Sequence, residues 1–177
     1  MLPTYYIPHG GGPCFFMDWT PRDAWDKMRA FLAGFIETLD QRPKAILLLT
    51  AHWEEDEITL STAPAPKLLF DYYGFPPHTY ELTWPAPGAP DLARRAAELL
   101  QAAGIKTRMD NERGYDHGVF IPMKVALPGA DIPVAMMSLR NDLDPLHHIK
   151  AGQALAPLRD EGVLIIGSGM SYHNMAG

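Results

Sequence analysis

A mostly parallel α/β sheet flanked by helices is the fold class predicted for this 177-residue chain, on three observations. The aliphatic runs at 45–50 and 163–166 are continuous rather than alternating, as in strands covered on both faces. Segments of helical period lie between such runs, which is the alternation of a strand–helix–strand architecture. Three histidines, His9, His52 and His173, each fall just past an apolar run and are followed by small or turn-forming residues. Side chains beyond the carboxyl ends of parallel strands line the functional crevice of such sheets.

In chain order, Thr4 to Pro8 is a short β-prone run that opens into the triple glycine Gly10-Gly11-Gly12. Thr20-Pro21-Arg22-Asp23 reads as a helix start, with Thr20 as N-cap and Pro21 at the first helical position. The spacing of Trp25, Met28, Phe31, Leu32, Phe35, Ile36 and Leu39 continues that helix towards Pro43. Ala45 to Thr50 is a buried strand and Ile58 to Thr62 a weaker one. Pro64 to Pro90 is rich in proline and aromatics without a period, the kind of long structured loop that contributes to binding sites. Pro90 to Ala103 is a helix stopped by Gly104, and Ile105 to Met109 a short strand. Val119 to Leu127 is a helix with Pro122 in its first turn. Pro133 to Leu139 is a strand, Asp144-Pro145 starts a helix reaching about Asp160, and Val163 to Ile166 is the last strand.

Length predicts one domain, residues 1–177. A net charge of −6 argues against nucleic acid or an anionic membrane surface as partner. No apolar stretch approaches the roughly 20 residues that span a bilayer. The N-terminus lacks the basic and apolar regions of a secretory signal. Cys14 is the single cysteine, which excludes an intrachain disulfide and a thiolate zinc finger. A cytoplasmic enzyme is expected.

The chemistry-bearing residues are histidines, and neutral imidazole is a common ligand of zinc and iron. His9, before Gly10 to Gly12, is a metal ligand or a residue satisfying a tight turn. His52, before Trp53, is a ligand at a strand mouth or a partly buried ring. Glu54 and Glu55 read as a solvated acidic turn. His117 follows Asp116, which either holds its tautomer or caps the next helix. His173, near Ser168, Ser171 and Asn174, is a ligand or a general base. His78 lies in the aromatic loop, where exposure or substrate contact are both open, and His147 and His148 fall in an exposed helix start. Several strand-end histidines in one small domain point together to a metal site.

Six motifs occur in order: Pro8-His9-Gly10-Gly11-Gly12-Pro13, Thr50-Ala51-His52-Trp53, Gly74-Phe75-Pro76, Trp84-Pro85-Ala86-Pro87-Gly88, Tyr115-Asp116-His117-Gly118, and Gly167-Ser168-Gly169-Met170-Ser171-Tyr172-His173-Asn174. On these the whole chain resembles the class III extradiol ring-cleavage dioxygenases of the DOPA-dioxygenase type. The resemblance implies a mononuclear Fe(II) site, with Zn(II) often taking its place in isolated proteins. It implies His9 and His52 as metal ligands, His173 as a ligand or the acid–base residue, and His117 as a catalytic residue at substrate or oxygen. Phe75, His78 and Tyr80 are expected on the pocket wall, and a small catechol with O2 as the substrates. Family members are about half as long again, so the chain is expected to lack their C-terminal segment, which carries the remaining ligand. A zinc hydrolase and a Memo-like metal-binding module without catalysis are the competing expectations. The last strand lacks the helix that would cover it, which suggests a homo-oligomer.

Overall fold

The computed structural model describes residues 1–170. Six strands form one sheet: β1 (Thr4–Ile7), β2 (Ala45–Glu55), β3 (Ile58–Ser61), β4 (Thr107–Asp110), β5 (Val134–Arg140) and β6 (Val163–Ser168). Their order is β1-β6-β2-β5-β3-β4. All neighbours are parallel except β3 and β5, which run antiparallel through Leu60 and Met137. The predicted class is therefore observed.

Helices cover both faces. Against one face lie α1 (Asp26–Gly34) and α3 (His117–Ala126), which share a core with Ile46, Leu48, Met136 and Ile166. Against the other lie α2 (Pro90–Ala102) and α4 (Pro145–Leu155), packed on Leu47, Ala135, Met137 and Ile165. Alternate residues of β2 thus enter opposite cores, as the period of a strand requires. Both cores are aliphatic, which is why the sequence of β2 reads as an unbroken apolar run.

Three elements depart from expectation. The first helix begins at Asp26 rather than after Thr20, and residues 21–25 form turns closed by Ala24 N–H to the Pro21 carbonyl and Asp26 N–H to that of Asp23. Tertiary anchors dominate there: Trp19 donates its indole N–H to the Cys14 carbonyl at 2.8 Å and meets Trp25 edge-on. The helix also ends at Gly34, so Ile36 to Thr38 form a separate short turn. Glu54 and Glu55 belong to β2, paired with Leu139 and Arg140, and are not a free turn. Asp144 caps α4 as predicted, accepting from the backbone of Leu146 at 3.0 Å, although the helix yields at Leu155 to a turn over Ala156–Arg159.

The pairing of β2 with β5 shifts between Leu49 and Glu54, where β2 carries extra residues. A bulge of this kind re-aims side chains next to functional sites. His52 lies in it, just past the last β2–β6 pair, Thr50 with Ser168.

Candidate metal centre

His9, His52 and His117 converge at the carboxyl ends of β1, β2 and β6, each offering one ring nitrogen within 4.8 Å of the others. His9 is 1% exposed and His117 7%. Nε2 of His9 stands 3.0 Å from Nε2 of His52, and the His52 and His117 ring centres are 4.0 Å apart. His173, predicted as ligand or base, lies outside the described residues.

Protonation at this cluster follows from its hydrogen bonds. Pro122 sits inside α3 and has no N–H, so the carbonyl of Gly118, four residues before it, has no helical donor. The Ser168 hydroxyl donates to that carbonyl at 2.5 Å. Having spent its one proton, the Ser168 oxygen accepts from Nδ1–H of His9 at 3.1 Å. His9 therefore turns Nε2 and its lone pair towards His52. A carboxylate is acceptor-only, so Asp71, 2.8 Å from Nδ1 of His117, likewise takes an Nδ1–H and leaves Nε2 of His117 bare.

The 3.0 Å contact between the two Nε2 atoms demands a proton or a cation between them: a hydrogen bond donated by His52 Nε2–H in the metal-free protein, or a shared metal ion. Acidic groups add to the demand. Burial raises the Asp71 carboxyl, but hydrogen bonds from the His117 side chain and backbone outweigh it and hold the group below its ordinary value. Asp116, fully buried, is pushed up by burial and by the Asp71 charge, against hydrogen bonds from Thr50 and Arg113. Neutral nitrogen donors beside an ionised carboxylate fit a divalent transition metal.

Asp116 takes neither role open to it from its sequence position. It sits at the N-cap of α3 without a side-chain cap bond, and it does not hold the His117 ring. Its oxygens accept from Thr50 Oγ1 at 2.8 Å and Arg113 at 3.2 Å instead, tying β2 to the start of α3. Arg113 also donates to the His52 carbonyl at 3.1 Å and lies over the Trp53 ring. Gly118 completes this join: a Cβ there would come within 2.8 Å of Thr50 Oγ1 and 2.9 Å of His52 Cδ2. The partner of His117 is Asp71, which sequence reasoning passed over. Its signal was a lone acid between Phe70 and Tyr72 in the aromatic loop.

A cavity of about 220 Å³ opens onto His9, Ala51, His52 and Met170. The aromatic loop packs beside the centre: Tyr72 meets His117 edge-on at 5.9 Å, and Phe75 meets Tyr72 at 5.5 Å and lies over the Gly12 backbone. The Tyr80 ring contacts Phe70 and Tyr72. Nε2 of His78, an exposed residue, lies 3.0 Å from the Phe16 carbonyl. Cys14 is 1% exposed, and burial pushes its thiol up to about 12, as befits an inert core side chain. A larger cavity, about 340 Å³, lies apart at Asp56, Glu57, Lys106, Arg140 and His147 and holds none of these histidines.

Ser168→Ala should remove the acceptor that fixes His9. Zinc affinity, read by titration against a chelator, is expected to fall by roughly 10–100-fold. Wild-type affinity in that variant would remove Ser168 from the site.

An open α/β sheet with three histidines gathered beside its strand ends carries a cluster that could hold a metal ion. The chain belongs to the family described as the catalytic LigB subunit of aromatic ring-opening dioxygenase, which matches residues 3–177. It is 42% identical over 175 residues to the 4,5-DOPA dioxygenase extradiol of Beta vulgaris, covering 96% of this chain and 62% of that protein. It is also 42% identical over 180 residues to Dioxygenase tasH of Hapsidospora irregularis, covering 99% and 56%. The 4,5-DOPA dioxygenase extradiol of Escherichia coli K12 is 33% identical over 175 residues, covering 98% and 61%. A crystal structure of an uncharacterized Escherichia coli K12 protein superposes with a TM-score of 0.76 at 30% identity, covering 99% of this chain and 62% of that one. The chain thus spans 56% to 62% of the length of these relatives. Among the described residues no helix is long and apolar enough to cross a membrane.

Proposed function

We propose that this chain is the catalytic α/β domain of a cytoplasmic, Fe(II)-dependent extradiol dioxygenase acting on a small catechol of the DOPA kind. The supporting observation is the approach of His9, His52 and His117, with Nδ1 of two of them held by acceptors so that Nε2 faces inward. His9 and His52 would hold the metal, joined by His173 as a ligand or as the base. Bound iron would supply the redox chemistry of the reaction, in which O2 cleaves one C–C bond of the catechol ring and both oxygen atoms enter the product. His117 would act at the substrate: its bare Nε2 accepts a phenolic proton, and Asp71 on Nδ1 stabilises the cation that results. Phe75, His78 and Tyr80 are assigned to the wall that takes the flat ring, reached through Tyr72 beside His117.

The test is anaerobic loading with Fe(II), followed by air and a panel of catechols including DOPA. Expected are O2 uptake equimolar with catechol loss and a yellow ring-opened product, with neither from the zinc-loaded protein. Full iron occupancy without turnover across the panel would refute the proposal. Ester hydrolysis that is indifferent to oxygen and lost on chelation would point to a zinc hydrolase instead.

A further inference from the structure

The Gly167-Ser168-Gly169 stretch serves both faces of the sheet. Ser168 turns to the α3 face, where its hydroxyl holds the Gly118 carbonyl and Nδ1 of His9. Gly167 and Gly169 turn to the other face, as the two-residue period of a strand requires. Neither glycine has its φ in the left-handed region, so backbone conformation does not call for them. What they provide is room. A Cβ on Gly167 would lie 3.5 Å from Tyr6 Cδ2, and one on Gly169 would lie 3.3 Å from Ala51 Cβ and 3.4 Å from Tyr6 Oη. The space they leave is a cavity of about 270 Å³ between Tyr6 and Leu139. It shares Ala51 and Met170 with the cavity at His9 and His52, so the two meet there.

We propose that this second cavity is the subsite for the ring substituent of the catechol, and that the substituent it takes is uncharged and apolar, an alkyl or aryl group. The proposal rests on the reading of the histidine cluster as a catechol site and narrows its substrate class. Among the described residues no charged side chain lines the cavity, and the Ser168 hydroxyl is already engaged. An ammonium or carboxylate placed there would lose water without gaining a partner. An apolar group would be covered by Leu49, Leu139 and Met170, and would itself cover Tyr6, which is 60% exposed. Continuity with the cavity at His9 and His52 favours a part of the same molecule as occupant. With the two hydroxyls turned to the histidines, a group para to one of them points away from the metal.

Calorimetry on the zinc-loaded 177-residue chain under argon gives the affinities of three probes without turnover: catechol, 4-tert-butylcatechol and DOPA. Each fully buried CH₂ is worth about fourfold in affinity, so four carbons about half covered should bind roughly tenfold tighter than catechol. DOPA, which carries its charges into the cavity, should bind no tighter than catechol. Two variants separate the cavity from the fold. Gly167→Val fills the floor with a residue that strands favour, so the melting temperature should hold or rise. Leu139→Asn puts an amide into the wall. Both should keep the zinc content and the affinity for catechol, while the preference for the butyl compound disappears.

Equal affinities for the three probes, with Gly167→Val without effect, would overturn the proposal and leave the catechol site standing. Tighter binding of DOPA than of catechol would overturn it too. Methyl spectra of the zinc-free protein separate the remaining cases. If 4-tert-butylcatechol shifts the Leu139 and Met170 signals and zinc adds nothing to any affinity, the subsite stands and the metal-centre reading falls. No binding of any probe at full zinc occupancy, with no methyl shift, would overturn both. A dimer in sedimentation that Leu139→Asn dissociates would give the cavity to a second copy of the chain and overturn the proposal.

Discussion

Replacing His9 with alanine is expected to abolish metal binding and, with it, any metal-dependent turnover. The side chain is 1% exposed and its Nε2 is 3.0 Å from that of His52, so no solvent-facing group can take its place without rebuilding the loop after β1. The loss of a ligand exceeds the 10–100-fold cost of losing a group behind one, so metal content after dialysis should fall from one equivalent to near zero. His52→Ala should behave in the same way. The fold should survive either change, because Ser168 keeps its bond to the Gly118 carbonyl and the apolar cores are untouched. A parallel His147→Ala variant, altered in the separate cavity beside Arg140, should retain wild-type metal content. Metal analysis with circular dichroism checks all three. Full metal occupancy in a folded His9→Ala protein would rule out the site.

The largest expected loss of stability is at Gly88, outside the metal centre. A Cβ there would lie 1.8 Å from the Ala63 carbonyl oxygen, 3.0 Å from its carbon and 3.2 Å from Pro66 Cδ. These are backbone and ring atoms, so no flexible side chain can give way. Relief requires moving the loop off the first residue of β5. That would break Gly88 N–H to the Pro64 carbonyl and Val134 N–H to the Pro87 carbonyl, both 2.9 Å. It would also disturb the Tyr115 hydroxyl bonded to the Pro87 and Val134 carbonyls, and Trp84, 2% exposed and bonded to the Leu127 carbonyl. Overpacking of about 1–3 kcal/mol, with two or more hydrogen bonds at about 1 kcal/mol each, sums to roughly 3–5 kcal/mol. In a chain of this size the melting temperature should drop by roughly 6–20 °C. Gly34→Ala, in α1 with nothing within 4 Å of the new Cβ, is the contrast: unchanged or slightly raised stability. Urea unfolding of the two proteins decides it, and equal midpoints would contradict the packing described.

Gly88 also explains a motif that the site chemistry leaves aside. Trp84-Pro85-Ala86-Pro87-Gly88 touches no histidine of the centre; it seats the loop against the start of β5. Gly118, by contrast, is both a packing and a site residue, since its bare Cα lets His52 and Thr50 approach α3. The sequence marks both as glycines in motifs without distinguishing their purposes.

Much of the centre was legible because strand ends are. A continuous aliphatic run followed by a histidine places that histidine near the carboxyl end of its strand, and His52 falls in the β2 bulge just past the last pair with β6. The length of β2 was not legible, because Glu54 and Glu55 look solvated until β5 pairs with them. Nor was the start of α1, where indole contacts of Trp19 and Trp25 outweigh a local cap signal. The competition between Asp116 and Asp71 for His117 was decided by geometry: the nearer acid in sequence is turned towards Thr50 and Arg113.

The amino-acid sequence by itself determined the α/β class, the family and the presence of His9, His52 and His117, since period, aliphatic runs and ordered motifs are local properties. Only the tertiary structure decided which nitrogen His9 and His117 present. That choice rests on Ser168, 159 residues from His9, and Asp71, 46 residues from His117. A proton's place on a ring depends on what the other nitrogen touches, and contacts between distant segments exist only once the sheet has brought them together.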